Sequence, residues 1–170
     1  IVGGDDQYLR TRPESGETFT DEGLLLPSTA TPPNQSAQCV SLTPTAPVVI
    51  GSAYLNSFAS APADGVARTQ LVLASDTRCV YVAPENGDEM TIRTASTLFA
   101  AAALASDAAG FDIAGGQNGL SLAALHLSGT QSTLIRINPA NGAPTTLGLI
   151  GPSGTPVVDA LAVRLVPFGQ

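Results

Sequence analysis

The chain has one histidine, His126, set in the apolar run LSLAALHLSG. Nucleophilic hydrolysis by a serine needs a histidine to take its proton, an aspartate to orient that ring and an oxyanion hole beside the nucleophile. The surroundings of His126 match none of this, and neither G-D-S-G-G nor G-x-S-x-G occurs. On an alternating strand His126 shares a face with Ala124 and Ser128, opposite Leu125 and Leu127. That is the pattern of a satisfied or solvent-facing histidine. A ligand in a metal or substrate site would have no second histidine to support it.

Paired carboxylates are the other source of acid–base or metal chemistry. Asp5-Asp6, Asp21-Glu22 and Asp88-Glu89 are adjacent pairs. Neighbours on a strand point to opposite faces, so such pairs do not converge on one ion, and no D-x-D-x-D-G calcium loop occurs. Solvated loop carboxylates are expected, with a surface calcium as the alternative. Asp112, in GFDI, is expected to cap a turn by accepting backbone amides. No catalytic residue, cofactor or metal ligand is assigned.

Cys39 and Cys79 are the whole cysteine inventory, without a C-x-x-C spacing for zinc or redox work. In an oxidising compartment they can pair, closing a loop of about 40 residues worth about 3–4 kcal/mol in the chain-entropy description. The alternative is two buried thiols. Cys39 sits in the Pro/Ser/Thr-rich segment 27–47, PSTATPPNQSAQCVSLTPTAP, which reads as an extended exposed loop. Within it Asn34 heads an N-x-S sequon, a possible glycosylation site.

The opening IVGG is shared with the mature ends of trypsin-like proteases, but without the triad those four common residues carry no activity. The chain starts without Met, so either a leader has been removed or this is part of a longer product.

Bulk composition narrows the classes further. The 170 residues fit a single domain spanning 1–170, with enough Val, Leu and Ile for a core. Net charge is −7, and the seven basic residues are all arginine, scattered from Arg10 to Arg164. Phosphate backbones and anionic membranes would be repelled, so nucleic acid is not an expected partner. The longest suspicious apolar run, TLFAAAALA, falls short of the 18 or so residues of a membrane span, so insertion is not expected.

The positions that could carry function are held by a repeat. Three segments share an alternating strand, a Pro-x-Ser/Asn-Gly turn and a second strand: Pro13-Glu14-Ser15-Gly16, Pro84-Glu85-Asn86-Gly87 and Pro139-Ala140-Asn141-Gly142. Proline presets a turn and Ser-Gly or Asn-Gly supplies left-handed residues for a tight hairpin. The alternations Leu9/Thr11, Val80/Val82 and Ile135/Ile137 predict an inward face in each. Outer strands are predicted over 48–58, 107–115 and 157–166, and further strands over 69–75 and 120–128. The unit is therefore four antiparallel strands, as in a β-propeller blade, repeated three to three and a half times. One short helix is considered near 96–106, where Ser96 or Thr97 can cap an alanine run.

The N-P-x-x-G hairpin, GSAYLNSF, AGFDI and the closing LAV resemble an uncharacterised bacterial domain-of-unknown-function family of secreted, propeller-like repeat proteins. The similarity runs from GGDDQYLR to ALAV and corresponds to the family's C-terminal portion. It implies a fold and export, and transfers no catalytic residue.

Too few blades to close a ring leave sheet edges and terminal faces bare, which favours self-association or a second chain segment that completes the array. The expected function is a non-enzymatic extracellular structural or assembly module, such as an envelope, matrix or filament component. A glycan- or small-molecule-binding propeller is the alternative, and an extracellular hydrolase or lyase the third class.

Overall fold

The computed structural model describes residues 8–11, 15–21, 26–27, 48–55, 69–83, 89–92, 98, 104–114, 120–127, 131–154 and 157–163. Eleven strands run through them: β1 Tyr8–Thr11, β2 Thr18–Asp21, β3 Leu26–Pro27, β4 Val49–Tyr54, β5 Gln70–Ala74, β6 Val80–Ala83, β7 Glu89–Ile92, β8 Leu104–Ala114, β9 Leu120–Leu127, β10 Thr133–Ile137 and β11 Pro144–Leu149. Strands β4, β5, β6 and β7 form an antiparallel meander in chain order, and so do β8, β9, β10 and β11. The pair β1–β2 is a two-stranded hairpin matching the last two strands of such a unit. The short β3 adds in parallel to β7, pairing Leu26 with Glu89 and Pro27 with Met90. Pro27, expected to open the exposed loop, is therefore in a strand. The rest of that loop lies outside the described residues.

Turn chemistry explains the hairpins. In the third, the amides of Asn141 and Gly142 both donate to the Asn138 carbonyl, at 3.3 and 2.7 Å. The Asn138 side chain takes the Ala140 amide at 2.9 Å. Gly142 alone adopts positive φ, 68°, and Gly16 matches it in the first hairpin at 71°. The left-handed position thus falls on the glycine and not on the residue before it.

The expected helix near 96–106 is not formed where the chain is described. Leu98 is a bend, and Leu104, Ala105 and Ser106 belong to β8. Alanine propensity over so short a run is worth little beside a ladder, and Leu104 pairs with Leu127 of β9. Leu98 is buried in the core instead.

The core lies between the two meanders. Ala53, Leu71, Leu73 and Val80 of the first unit meet Phe111, Ile113, Ala123, Leu125, Ile135 and Ile137 of the second. Burying each large apolar side chain stabilises by roughly 1.5–3 kcal/mol. The predicted inward pairs Val80/Val82 and Ile135/Ile137 do face this core. β4 and β8 pack directly against each other. First strands are therefore where the units approach most closely, contrary to the outer position expected for them. On β11 it is Leu147 and Leu149 that are exposed.

Register decides which faces meet. Thr11, two residues before Pro13, pairs with Thr18, two residues after Gly16. Ile137, two before Pro139, pairs with Pro144, two after Gly142. Val82, two before Pro84, pairs instead with Thr91, four after Gly87. Val82's partner thus lies two residues further on, and the midpoint of the pairing sits one residue further along the chain relative to the Pro-x-x-Gly motif, so residues equally far from the midpoint fall on opposite faces of the alternation. Measured from the turn, Val82 corresponds to Arg136, and Ala83 to Ile137. Successive units therefore pack with opposite faces together, as members of a stack do. The other face of the first meander is also covered: Gln70, Val72, Ala74, Tyr81 and Ala83 are all buried.

Residues 157–163, expected to begin a strand over 157–166, belong to no sheet. They cross the far face of the second meander where β8 has a glycine. A Cβ on Gly110 would lie 2.6 Å from Ala160 C and Leu161 N. Backbone laid across a sheet face cannot enter its ladder, so its amides turn to side chains.

Candidate functional site

The far face of the second meander carries Asp112 and His126. Gly110 and Asp112 of β8 lie opposite Ala124 and Leu122 of β9, which pair with Leu134 and Arg136 of β10. Asp112 is half-buried there, and its Oδ2 accepts the Val163 amide at 2.6 Å. It binds a backbone amide as expected, but one 51 residues away and not in a local turn. At the other end of the crossing, the buried Ser132 takes the Val158 amide on Oγ at 2.9 Å and the Ile150 amide on its carbonyl at 2.8 Å. Two side chains and a glycine thus seat the segment.

His126 stands on the same face, in line with Ala124 as the alternation implied. Its Nδ1 lies 3.0 Å from Ser106 Oγ. The cause is a bulge: Leu104 pairs with Leu127 and Ala109 with Leu125, so residues 105–108 stand opposite His126 alone. Bulges re-aim side chains, and this one folds Ser106 back onto the ring. Either Ser106 donates to Nδ1 or Nδ1–H donates to Ser106, according to the tautomer. A Ser–His contact is two parts of a nucleophile; acyl transfer also needs an orienting acid and oxyanion donors. Simple alternation could not pair Ser106 with His126, since the bulge breaks its period.

A second polar row runs over β4 and β5. Tyr54 donates its hydroxyl to Gln70 Oε1 at 3.2 Å, and Gln70 Nε2 donates to Ser52 Oγ at 3.1 Å. Gln70 is buried, so these bonds satisfy an amide that would otherwise be costly to enclose. A hollow of about 120 Å³ beside this row is lined by Val49, Ile50, Gly51 and Ser52. Small-molecule sites are usually about 300–1,000 Å³. This hollow is smaller than that.

The β5–β6 turn is a third cluster. Asp76 Oδ1 accepts the Val48 amide at 3.1 Å, and the Ser75 amide donates to the Val48 carbonyl at 2.9 Å, tying the start of β4 to the turn. Arg78 takes a left-handed φ of 59°, and its carbonyl accepts the Leu98 amide. Burial pushes the Tyr81 phenol above its ordinary range. Thr77 Oγ1, buried without a full hydrogen bond, lies close enough to temper that rise, and the Asp76 carboxylate adds to it.

Cys79 is buried and disulfide-bonded. Its Sγ carries no proton, so the 3.0 Å approach to the Thr77 carbonyl is a sulfur–oxygen contact. Cys39, the only other cysteine, lies outside the described residues, as do Asn34, Asp5, Asp6, Glu22 and Asp88. Asp21 ends β2 opposite Tyr8, and Glu89 begins β7 beside Leu26. Among the described residues no three His, Cys, Asp or Glu side chains come together to hold a metal.

A family model matches residues 1–162. The chain belongs to DUF4394, a domain of unknown function. Family membership therefore brings this all-β chain a shared sequence pattern and no activity. No curated protein and no solved structure matches it.

Proposed function

We propose that this DUF4394 chain is a non-enzymatic structural or assembly module of the cell exterior, an envelope, matrix or filament component built from propeller-type units. The observation that carries this reading is the stack itself. Successive meanders meet with opposite faces and converge at their first strands, an arrangement that any number of further units can continue. The far face of the second meander is crossed by a single segment, seated through Asp112, Ser132 and Gly110. Asp112 and Ser132 hold backbone there, which is the work of a scaffold. The Cys79 disulfide supports an oxidising location.

Size-exclusion chromatography with light scattering, followed by negative-stain microscopy, tests the reading. An assembly module forms oligomers or filaments at micromolar concentration. A monodisperse monomer that is retarded on a polysaccharide gel would replace it with a glycan-binding module.

A further inference from the structure

The fourth strands of the two meanders differ at their outer edges. β7 begins with Glu89, and among the described residues its outer edge is taken by β3. β11 is the last strand of its sheet, and no described strand pairs with its outer edge. The Ile150 amide bonds back to the Ser132 carbonyl, and the Ala143 carbonyl accepts the Asn138 amide. Backbone groups alternate in direction along a strand. Counting in from those two bonds, as far as the bulge at Leu147, Thr146 and Leu149 turn their amides and carbonyls away from β10. Both residues are exposed. Sheet edges are commonly guarded by charge, yet residues 137–158 carry none in a chain of net charge −7.

Resting on the assembly reading, we infer that β11 pairs with β11 of a second copy, antiparallel, about a two-fold axis between Leu147 and Gly148. In that register Thr146 stands opposite Leu149 of the other copy, and Leu149 opposite its Thr146. The outward groups then meet in two hydrogen-bonded pairs. The faces agree as well, because Thr146 and Leu149 pair with Ile135 and Thr133, which share one face of β10.

The bulge supplies the fit at the axis. Leu147 is 52% exposed, and it comes opposite Gly148, where a Cβ would meet nothing within 4 Å. Each copy brings one projecting leucine and one open glycine position. A two-fold interface requires such self-complementarity. A second copy meets that requirement by symmetry, which favours it over a strand of another protein.

Two variants of the 170-residue chain test this, Thr146→Cys and Leu149→Cys, mixed under mild oxidation. Opposed residues of a hydrogen-bonded pair have Cα atoms about 5.5 Å apart, within disulfide reach. Like residues across the axis are about 8 Å apart and outside it. The parent chain, with Cys79 already in a disulfide, is the control. Leu147→Lys, at an exposed position, sets a charge at the axis. Light scattering is expected to give the parent an even multiple of 17.2 kDa and Leu147→Lys half that mass, with circular dichroism unchanged. A cross-linked dimer is expected in the cysteine mixture and in neither variant alone. An oligomer that keeps its mass in Leu147→Lys, or that gives no adduct specific to the mixture, overturns the β11 pairing and leaves the assembly reading in place. A monomeric parent overturns both.

Discussion

Gly51 lies so close beneath Phe111 that a Cβ added to it would stand 2.9 Å from the phenylalanine Cβ. The contact is at the closest approach of the two meanders, where neither backbone can withdraw without opening the core. Gly51→Ala is expected to destabilise the chain by about 1–3 kcal/mol through overpacking. Urea unfolding followed by circular dichroism checks this, and an unchanged midpoint would show that the sheets can part there at little cost.

Asp112→Ala removes the acceptor of the Val163 amide. A hydrogen bond to a charged group contributes about 1.5–3 kcal/mol, less where water reaches it. The loss should fall on the segment more than on the whole fold. Hydrogen exchange is expected to quicken at Leu161–Val163 while the amides of β9 and β10 stay protected.

Burial separates two leucines of similar sequence context. Leu125 is fully buried in the core, and Leu149 is 65% exposed at the end of β11. Leu125→Ala should cost about 2–5 kcal/mol, whereas Leu149→Ala should stay within about 0.5 kcal/mol. Equal effects on the denaturation midpoint would mean that Leu149 is covered in solution.

Reduction is expected to lower the thermal midpoint and release two alkylatable thiols where the native chain shows none, with Cys39 the partner of Cys79. Loss of a disulfide from a small domain costs about 2–5 kcal/mol. Intact-mass measurement with and without reductant reads the pairing.

The Tyr81 phenol has its ionisation pushed upward by burial. A folded-state value above the unfolded one, near 10, leaves stability intact below that pH and removes it as pH rises through the folded value. Stability should therefore fall from about pH 10 upward, and Tyr81→Phe should lessen that alkaline loss. A variant with the parent's alkaline profile would assign the loss to another group.

The strands of the two meanders and their order were legible in the one-dimensional pattern, while β3 was not and the strand expected over 157–166 joins no sheet where it is described. Alternation at Val80/Val82 and Ile135/Ile137, with Pro-x-Asn-Gly after each, is a local property of backbone and turn chemistry, and local rules suffice to read it. Ser106 and Asp112 were not legible in the same way. Ser106 reaches His126 because three extra residues bulge out of β8, and bulges leave no mark in an alternating pattern. The helix considered near 96–106 failed at its C-terminal end for a related reason: pairing with β9 outweighs alanine's intrinsic preference.

By itself the sequence determined that the described residues are all-β, that the first and third hairpins turn at glycine, and that Val80, Val82, Ile135 and Ile137 point inward. Tertiary structure alone decided that these two pairs face each other. The two hairpins read alike, yet Val82 pairs four residues after its glycine where Ile137 pairs two after, so the midpoint of the pairing moves by one residue and equivalent positions change faces. The partners of Asp112 and Gly110 were likewise settled in three dimensions, because an amide or a backbone some fifty residues away meets them only after both meanders have formed and the chain has crossed back over them.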